Sequence, residues 1–454
     1  MLRKDQNEVL SRVGAGTPMG ELFRRFWLPA VTAEQVGAPD SAPVRLRILG
    51  EDLVGFRDTK GRVGIVRAYC SHRLAPLFYG RNEQCGIRCP YHGWKFDVAG
   101  NCLETPNVPA GAPDIRKNVG ITAYPTHEAG GVVWVYMGPK DKRPVFRALE
   151  YTQVPEGQYF SASWLQRTNW SQGMEGEIDS SHISWLHKDF DSQGEQARHP
   201  VLAGGVSGTG NEYTGDGAPV LELRETPSGF TYGARRDLNG QYLWRVTQWV
   251  APMFSLIPRA PGAFVWGGGR AWVPIDDNHT TVFTFGYRVD RPFTAEEIQV
   301  YESGALFPPR MRPGVYRLPD GYVIDTYLPQ ANQENDYQID RQLQRTGNYS
   351  GIWGIHDQDR SLAENSKSIG QSDAGIIDRT LEHLVSSDRP VATARRTLLR
   401  MAEELQAGIE PACVSEGSGF AVRAISQICA IPRFDDFLAR YGDEARYQHP
   451  ARPK

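Results

Sequence analysis

No stretch of this 454-residue chain approaches eighteen consecutive apolar residues, so nothing in the sequence has the length of a membrane-spanning helix. The opening Met1-Leu2-Arg3-Lys4-Asp5-Gln6-Asn7-Glu8 lacks the apolar run of a secretory leader. Charge of one sign is also missing. Fifty Lys and Arg stand against 53 Asp and Glu, a formal net charge of −3, which gives no support for a nucleic-acid or membrane partner. The six cysteines have no disulfide-framework spacing, which points to a reducing compartment and a cytoplasmic protein. No dinucleotide fingerprint is found: Gly204-Gly205-Val206-Ser207-Gly208-Thr209-Gly210 has the wrong spacing and no strand-to-helix setting, and Gly267-Gly268-Gly269 reads as a turn between strands. A plant-type ferredoxin cysteine set is absent too. By itself, the chain cannot draw electrons from NAD(P)H.

What is present is an ordinary globular composition, 40% hydrophobic and 23% charged, long enough for two to three domains. Residues 1–40 read as a helical segment packing on the larger domain at 151–454, with the aromatic run Leu22-Phe23-Arg24-Arg25-Phe26-Trp27-Leu28-Pro29 as packing surface. Residues 41–150 read as short strands with turn signals, from Val44–Gly50 and Leu53–Arg57 to a closing run at Val132–Gly138. Residues 151–454 mix helices and strands; Leu243–Val250 and Thr280–Gly286 are strand-like, and Val391–Gln406 has helical spacing through Leu398, Leu399, Met401 and Leu405. The expectation is an α+β protein, with a small antiparallel β domain and a larger domain built on a helix-flanked antiparallel sheet.

Two clamps carry the chemistry. Cys70-Ser71-His72 is followed after sixteen residues by Cys89-Pro90-Tyr91-His92. Each offers one sulfur and one nitrogen, so the ligands can sort by type: two sulfurs on one iron and two nitrogens on the other, the set of a Rieske [2Fe-2S] cluster. A structural Cys2His2 zinc site is the competing reading. The continuation Gly93-Trp94-Lys95-Phe96-Asp97 favours the cluster, since the glycine lets backbone N–H groups approach and the aromatic ring can cover it. Cys85 and Cys102 fit neither clamp and read as small, partly buried thiols.

A second constellation follows, Asp179-x-x-His182-x4-His187. On a helix Asp179 and His182 share a face, close enough for the carboxylate to orient the imidazole. His182 and His187 are about 140° apart on a regular helix, so they converge only if the helix ends or bulges between them. With a distant carboxylate they would form the 2-His-1-carboxylate face of a non-haem Fe(II) site, with positions left for dioxygen. Two ordinary histidines at a helix end are the alternative.

The Cys-Pro-x-His-Gly-Trp loop, the block Asn169-Trp170-x-Gln172-x-x-Glu175-Gly176-x-Ile178-Asp179-Ser180-Ser181-His182 and the run Leu77-Phe78-Tyr79-Gly80-Arg81-Asn82-Glu83 resemble the terminal oxygenase (α) subunit of Rieske non-haem iron ring-hydroxylating oxygenases, within it the phthalate dioxygenase-like group. The resemblance runs over essentially the whole chain. It implies Cys70, His72, Cys89 and His92 as cluster ligands and His182, His187 and a downstream carboxylate on the iron. Asp359, in Gly354–Glu364, is the carboxylate it favours, with Asp357 the runner-up and His356 either structural or a support to the ligands. It further implies a head-to-tail homotrimer in which Asp179 bridges His182 to His92 of the partner subunit. Electrons would come from a separate NAD(P)H-dependent reductase, possibly with a ferredoxin domain.

The implied reaction is dioxygenation of an aromatic, carboxylated substrate, by dihydroxylation or angular attack. O-demethylation of a methoxy group is the alternative, and a pure electron carrier the remaining one. A buried arginine would hold the carboxylate, with Arg235, Arg236 and Arg245 as candidates.

Overall fold

The computed structural model describes residues 2–146, 149–190, 215–366, 375–415 and 417–447. The glycine run at 204–210 lies outside them. The expected α+β architecture is present, with the small β domain and a larger domain on an antiparallel sheet.

In the small domain, Val44–Ile48, Glu51–Arg57, Val63–Arg67 and Ala123–Tyr124 form one four-stranded sheet. Arg81–Glu83, Gly86–Arg88, Lys95–Phe96 and Cys102–Glu104 form another. Apolar positions alternate onto a common core of Val54, Phe56, Val66, Leu77, Ile87, Trp94 and Phe96, which also takes in Cys70 and Cys89. The first hairpin turns through Leu49 and Gly50, both at positive φ (52° and 78°), the requirement of a two-residue turn matching strand twist. The leucine pays about 1–2 kcal/mol for that conformation. Its N–H donates to the Pro274 carbonyl and that of Gly50 to Ile275, at 2.9 and 2.8 Å, so the turn is held by the larger domain.

The N-terminal segment is more than helical. After Lys4–Ser11 and Pro18–Phe23 the chain extends as Trp27–Thr32, which pairs antiparallel with Val132–Tyr136. The aromatic run is divided between the second helix and this strand, and Leu22, Phe23 and Leu28 are fully buried.

The larger domain is an eight-stranded antiparallel sheet. Its order runs Tyr159–Gln166, Thr280–Arg288, Trp266–Pro274, Phe254–Leu256, Tyr242–Val250, Gly229–Asp237 and Val220–Thr226, with Ile425–Cys429 also on Tyr242–Val250. Gly267-Gly268-Gly269 is therefore no turn: it lies inside the strand Trp266–Pro274. A side chain at Gly267 would run into the Tyr287 ring, and one at Gly268 into the Arg259 guanidinium, so these glycines make room for large groups crossing the sheet.

Helix Trp170–Glu177 lies against the sheet, with Gly173 under the Trp272 ring. Asn169 caps it, accepting from the Ser171 N–H and donating to the carbonyls of Ser11 and Asp277. On its buried face Glu175 accepts from Arg395 at 2.8 and 2.7 Å and meets Arg379 at 3.4 Å. Arg379 also donates to Asn7, Ser11 and Ser171. One carboxylate thus ties the N-terminal helix, the site helix and the long helix Arg389–Gln406 together. That last helix buries Leu398, Leu399, Met401 and Leu405 on the face its spacing predicts. Among the described residues no helix is long and apolar enough to cross a membrane.

Removing Glu175 leaves buried Arg379 with no carboxylate partner among the described residues and Arg395 with Glu382 alone. Glu175→Ala is expected to destabilise the larger domain by about 3–5 kcal/mol, read as a lower urea midpoint by tryptophan fluorescence. An unchanged midpoint would show that the arginines find other partners.

Candidate metal centres

The two clamps fold as near copies. The Cys70 N–H donates to the Ala75 carbonyl while Leu74 N–H donates back to Cys70; Cys89 and Trp94, and Gly93 and Cys89, repeat the pattern at 2.8 and 3.0 Å. The fourth residue after each cysteine is left-handed, Leu74 at φ 58° and Gly93 at 77°. Each loop thus buries its cysteine and throws its histidine outward. Cys70 and Cys89 are 1% and 2% exposed, are not disulfide-linked, and face each other. Burial, with the neighbouring thiol adding to it, pushes Cys70 up to about 11. The imidazoles of His72 and His92 meet edge to face at 4.6 Å, and His72 stacks on Trp94 at 4.5 Å. The Trp94 indole N–H is fixed by Asn107 at 2.7 Å.

These residues fit a two-iron group better than zinc. The buried Nδ1 of His92 has no hydrogen-bond partner, which leaves a nitrogen donor in need of a ligand. Among the described residues only His182, His187 and Asp359 gather three donor atoms within 4.8 Å of one another. The clamps do not, whereas a single tetrahedral zinc requires four ligands about one centre. A thiol pair set apart from an imidazole pair suits a cluster lying between them.

The second centre is built on an interrupted helix. Helix Trp170–Glu177 ends before Asp179; a single turn, Ile183–Leu186, begins after His182 and ends at His187. The irregular ends turn the two rings toward one point. His182 Nε2 lies 3.2 Å from His187 Nε2, and Asp359 Oδ1 lies 3.1 Å from His187 Nε2 and 3.6 Å from His182 Nε2. Each Nδ1 faces a protein acceptor, which leaves the two Nε2 atoms to the centre. His182 Nδ1 is 3.5 Å from Asp179 Oδ2, and His187 Nδ1 is 2.7 Å from Gln358 Oε1. Burial alone would raise Asp359, but the adjacent imidazoles outweigh it and hold the carboxyl well below its usual range. Burial works against a charged His182, yet Asp179 brings it above its usual value. Asp179 Oδ1 accepts the Ser181 N–H at 2.7 Å, and its side chain is 26% exposed, within reach of another chain.

The other candidates separate cleanly. Asp357 points away from the triad into a buried pair with Arg360 at 2.8 Å, and His356 lies edge-on to Trp164. Arg235 reaches the Pro432 carbonyl and the Tyr242 ring, outside the site. Arg236 is fully buried and donates to the Ser180 carbonyl at 2.6 Å, so it holds the loop carrying Asp179. Arg245 lines a cavity that opens on His182, His187 and Asp359. Glu177, Arg259 and Arg270, from a helix end, an inter-strand segment and a strand, share that cavity and escape sequence reasoning, because isolated charged residues read as solvent-facing. Gln358 escapes it too; its position beside Asp359 on helix Ile355–Ala363 is the only signal.

Comparison with known proteins identifies the two parts of the chain. Residues 26–125 match the family model of the Rieske [2Fe-2S] domain, and residues 135–442 match the model described as LigXa C-terminal domain like. The chain is 37% identical over 414 residues to the 3-chlorobenzoate-3,4-dioxygenase oxygenase subunit of Comamonas testosteroni, covering 88% of each. It is 36% identical over 458 residues to the phthalate 4,5-dioxygenase oxygenase subunit of Pseudomonas putida, covering 97% of this chain and 96% of that one. Among solved structures, a QL mutant of NdmA from Pseudomonas putida CBB5 with theobromine superposes with a TM-score of 0.58 at 15% identity, over 88% of this chain and 96% of that one, a likeness of fold.

If Asp359 is the third ligand, Asp359→Asn loses most of the mononuclear iron by metal analysis, while Asp357→Asn retains it; the reverse result would reassign the ligand. Gln358→Leu removes the acceptor at His187 Nδ1 and is expected to weaken Fe(II) binding about 10–100-fold in anaerobic equilibrium dialysis.

Proposed function

Because the chain belongs to the Rieske non-haem iron ring-hydroxylating oxygenases, as an α (terminal oxygenase) subunit, we propose that it dioxygenates an aromatic carboxylic acid held by Arg245 beside His182, His187 and Asp359. The observation that carries this reading is Arg245 itself: a strand residue, 8% exposed, in the wall of the cavity that opens on the three donor atoms. A guanidinium there offers a planar fork to a carboxylate and sets the ring against the reacting centre.

The family's cofactors are a Rieske [2Fe-2S] cluster and a mononuclear non-haem iron; when bound, they supply one-electron storage and the activation of dioxygen. Cys70, His72, Cys89 and His92 would hold the first, and His182, His187 and Asp359 the second. Asp179 keeps His182 oriented, and Arg236 keeps the Asp179 loop in place. One dioxygen, two electrons and two protons account for both hydroxyls of a dihydrodiol. A cluster carries one electron at a time, so a separate NAD(P)H-dependent reductase supplies them in turn. Residues 41–150 are the cluster domain and 151–454 the catalytic domain, with 1–40 packed on the latter apart from the strand Trp27–Thr32, which pairs with Val132–Tyr136. Free thiols suit a reducing cytoplasm.

A head-to-tail homotrimer completes the reading, the Asp179 carboxylate spanning His182 and His92 of the partner subunit. Its support is apolar surface on both sides. Leu74, Tyr79 and Tyr91 are 60%, 69% and 56% exposed beside the cluster loops, and Trp185 and Leu362, each 56% exposed, lie beside the iron residues.

A single turnover of the pre-reduced protein under 18O2 with a panel of aromatic acids tests the function. Two heavy atoms in one product are expected; formaldehyde and a phenol would make the enzyme an O-demethylase, and no product from any acid would overturn the carboxylate reading. Asp179→Ala is expected to keep both metals and lose at least about 100-fold in turnover, as an orienting and coupling residue would; full activity would remove the bridge.

A further inference from the structure

Arg245 is one of three arginines in the cavity beside the iron residues. Arg245 and Arg270 project from one face of the sheet. Ser255 pairs with both Trp249 and Arg270, and Arg245 lies four residues from Trp249 on its own strand. Their Cα atoms are therefore separated by about 13 Å along the strands and about 10 Å across them. Long side chains from such positions approach a ligand from opposite walls. Arg259, from the segment between the strands, donates to the Tyr301 hydroxyl at 3.1 Å.

The carboxylates facing these cations are few. Asp359 is engaged with His182 and His187, and Asp179 with His182. Glu177 remains, and it accepts from Arg270 Nη1. The rest of the Arg270 guanidinium is closed off: Nε and Nη2 are buried without partners, and the group stacks 3.6 Å above the Phe307 ring. Nη1 is thus the corner at which Arg270 meets an anion, and Glu177 fills it. Arg245, by contrast, makes its hydrogen bond to the neutral Thr247 hydroxyl at 3.1 Å and enters no ion pair with a described residue.

Glu177 holds this place against its own helix. It is the last residue of Trp170–Glu177, at the negative end of the helix dipole, where a carboxylate is disfavoured. Its side chain is 6% exposed, so the carboxylate is also largely desolvated. Among the described residues, only the buried guanidinium opposite offsets both costs.

We propose that Glu177 is an internal stand-in for a second substrate carboxylate on Arg270, and that it makes the cavity selective for aromatic monocarboxylates over dicarboxylates. This rests on the aromatic-acid reading above. A monoacid takes the open fork of Arg245 and turns the rest of its ring toward the Arg270 wall. A diacid places its second anion against Glu177, and like charges in a closed site repel strongly. Glu177 is therefore a specificity-determining residue that needs no contact with the reacting atoms.

The test is equilibrium binding to the anaerobic holoenzyme by isothermal titration calorimetry, with benzoate and the 1,2-, 1,3- and 1,4-benzenedicarboxylates as probes. Wild type is expected to bind benzoate at least about tenfold more tightly than any of the diacids. Glu177→Gln and Glu177→Ala should shift that ratio toward at least one diacid by about tenfold or more, and adding Arg270→Gln should cancel the shift. Visible absorbance and circular dichroism of the cluster establish that each variant is folded and loaded. Equal affinity of wild type for benzoate and a diacid overturns the proposal without any variant. So does an unmoved ratio in both Glu177 variants, or a shift that survives loss of Arg270. In those cases benzoate binding lost in Arg245→Met would leave the aromatic-acid reading standing. If neither benzoate nor any diacid binds wild type or the variants, the aromatic-acid reading fails and the selectivity falls with it.

Discussion

Three donor atoms carried by two segments about 170 residues apart in the chain meet within 3.1–3.6 Å of one another, and the larger domain is arranged around that meeting. Two imidazole nitrogens and an ionised carboxylate cannot be brought together cheaply. Each must give up water, and each must be aimed by something else. Asp179 and Gln358 aim the two rings, and the Asp179 loop is in turn held by Arg236. The helix that precedes the loop is fastened to the rest of the domain by Glu175 and its two arginines. Disturbing any layer moves the one inside it, which is how buried polar groups far from the chemistry can govern it.

The small domain solves a different problem with less machinery. It presents two soft and two borderline donors on the tips of two loops that share one hydrogen-bond pattern. The thiols go inward, into the same core as Val54 and Phe96, while the imidazoles remain part-exposed at the surface. Sorting by polarity thus separates sulfur from nitrogen without any device beyond the turn itself. It also leaves the histidines on the side from which an electron can pass to another protein surface. Leu74, Tyr79 and Tyr91 surround that side with exposed apolar area of the kind that monomeric surfaces seldom gather in one place.

Charge inside the catalytic cavity is unusual for a site that must hold an aromatic ring. Arginines 245 and 270 reach it from two strands flanking Phe254–Leu256, and Arg259 from the segment after it, where apolar residues would otherwise be expected. A cavity so furnished recognises an anion by geometry as well as by attraction, because a guanidinium fork fixes direction. Which anion it accepts depends on how many forks are already taken, and Glu177 takes one.

Much of this was legible in the sequence because the ligand residues are local. Cys70 and His72, Cys89 and His92, and Asp179, His182 and His187 are neighbours along the chain, and their spacing alone restricts what they can hold. The long helix through Leu398 and Leu405 and the strands at Val44, Leu243 and Thr280 followed from periodicity in the same way. The failures have one cause. Gly267-Gly268-Gly269 reads as a turn because glycine usually bends a chain, and the Tyr287 ring and Arg259 that require its smallness come from the next strand and from the segment preceding this one. Arg235, Arg236 and Arg245 are indistinguishable as strand arginines. The folded sheet sends one to the surface, one beneath the Asp179 loop and one into the cavity. The sequence by itself determined the identity of the donors and the chemistry they suit, since these depend on residue type and short spacing. Only the tertiary structure decided which carboxylate joins the histidines, which arginines line the cavity beside them and what Arg270 faces, because each is set by contact between segments far apart in the chain.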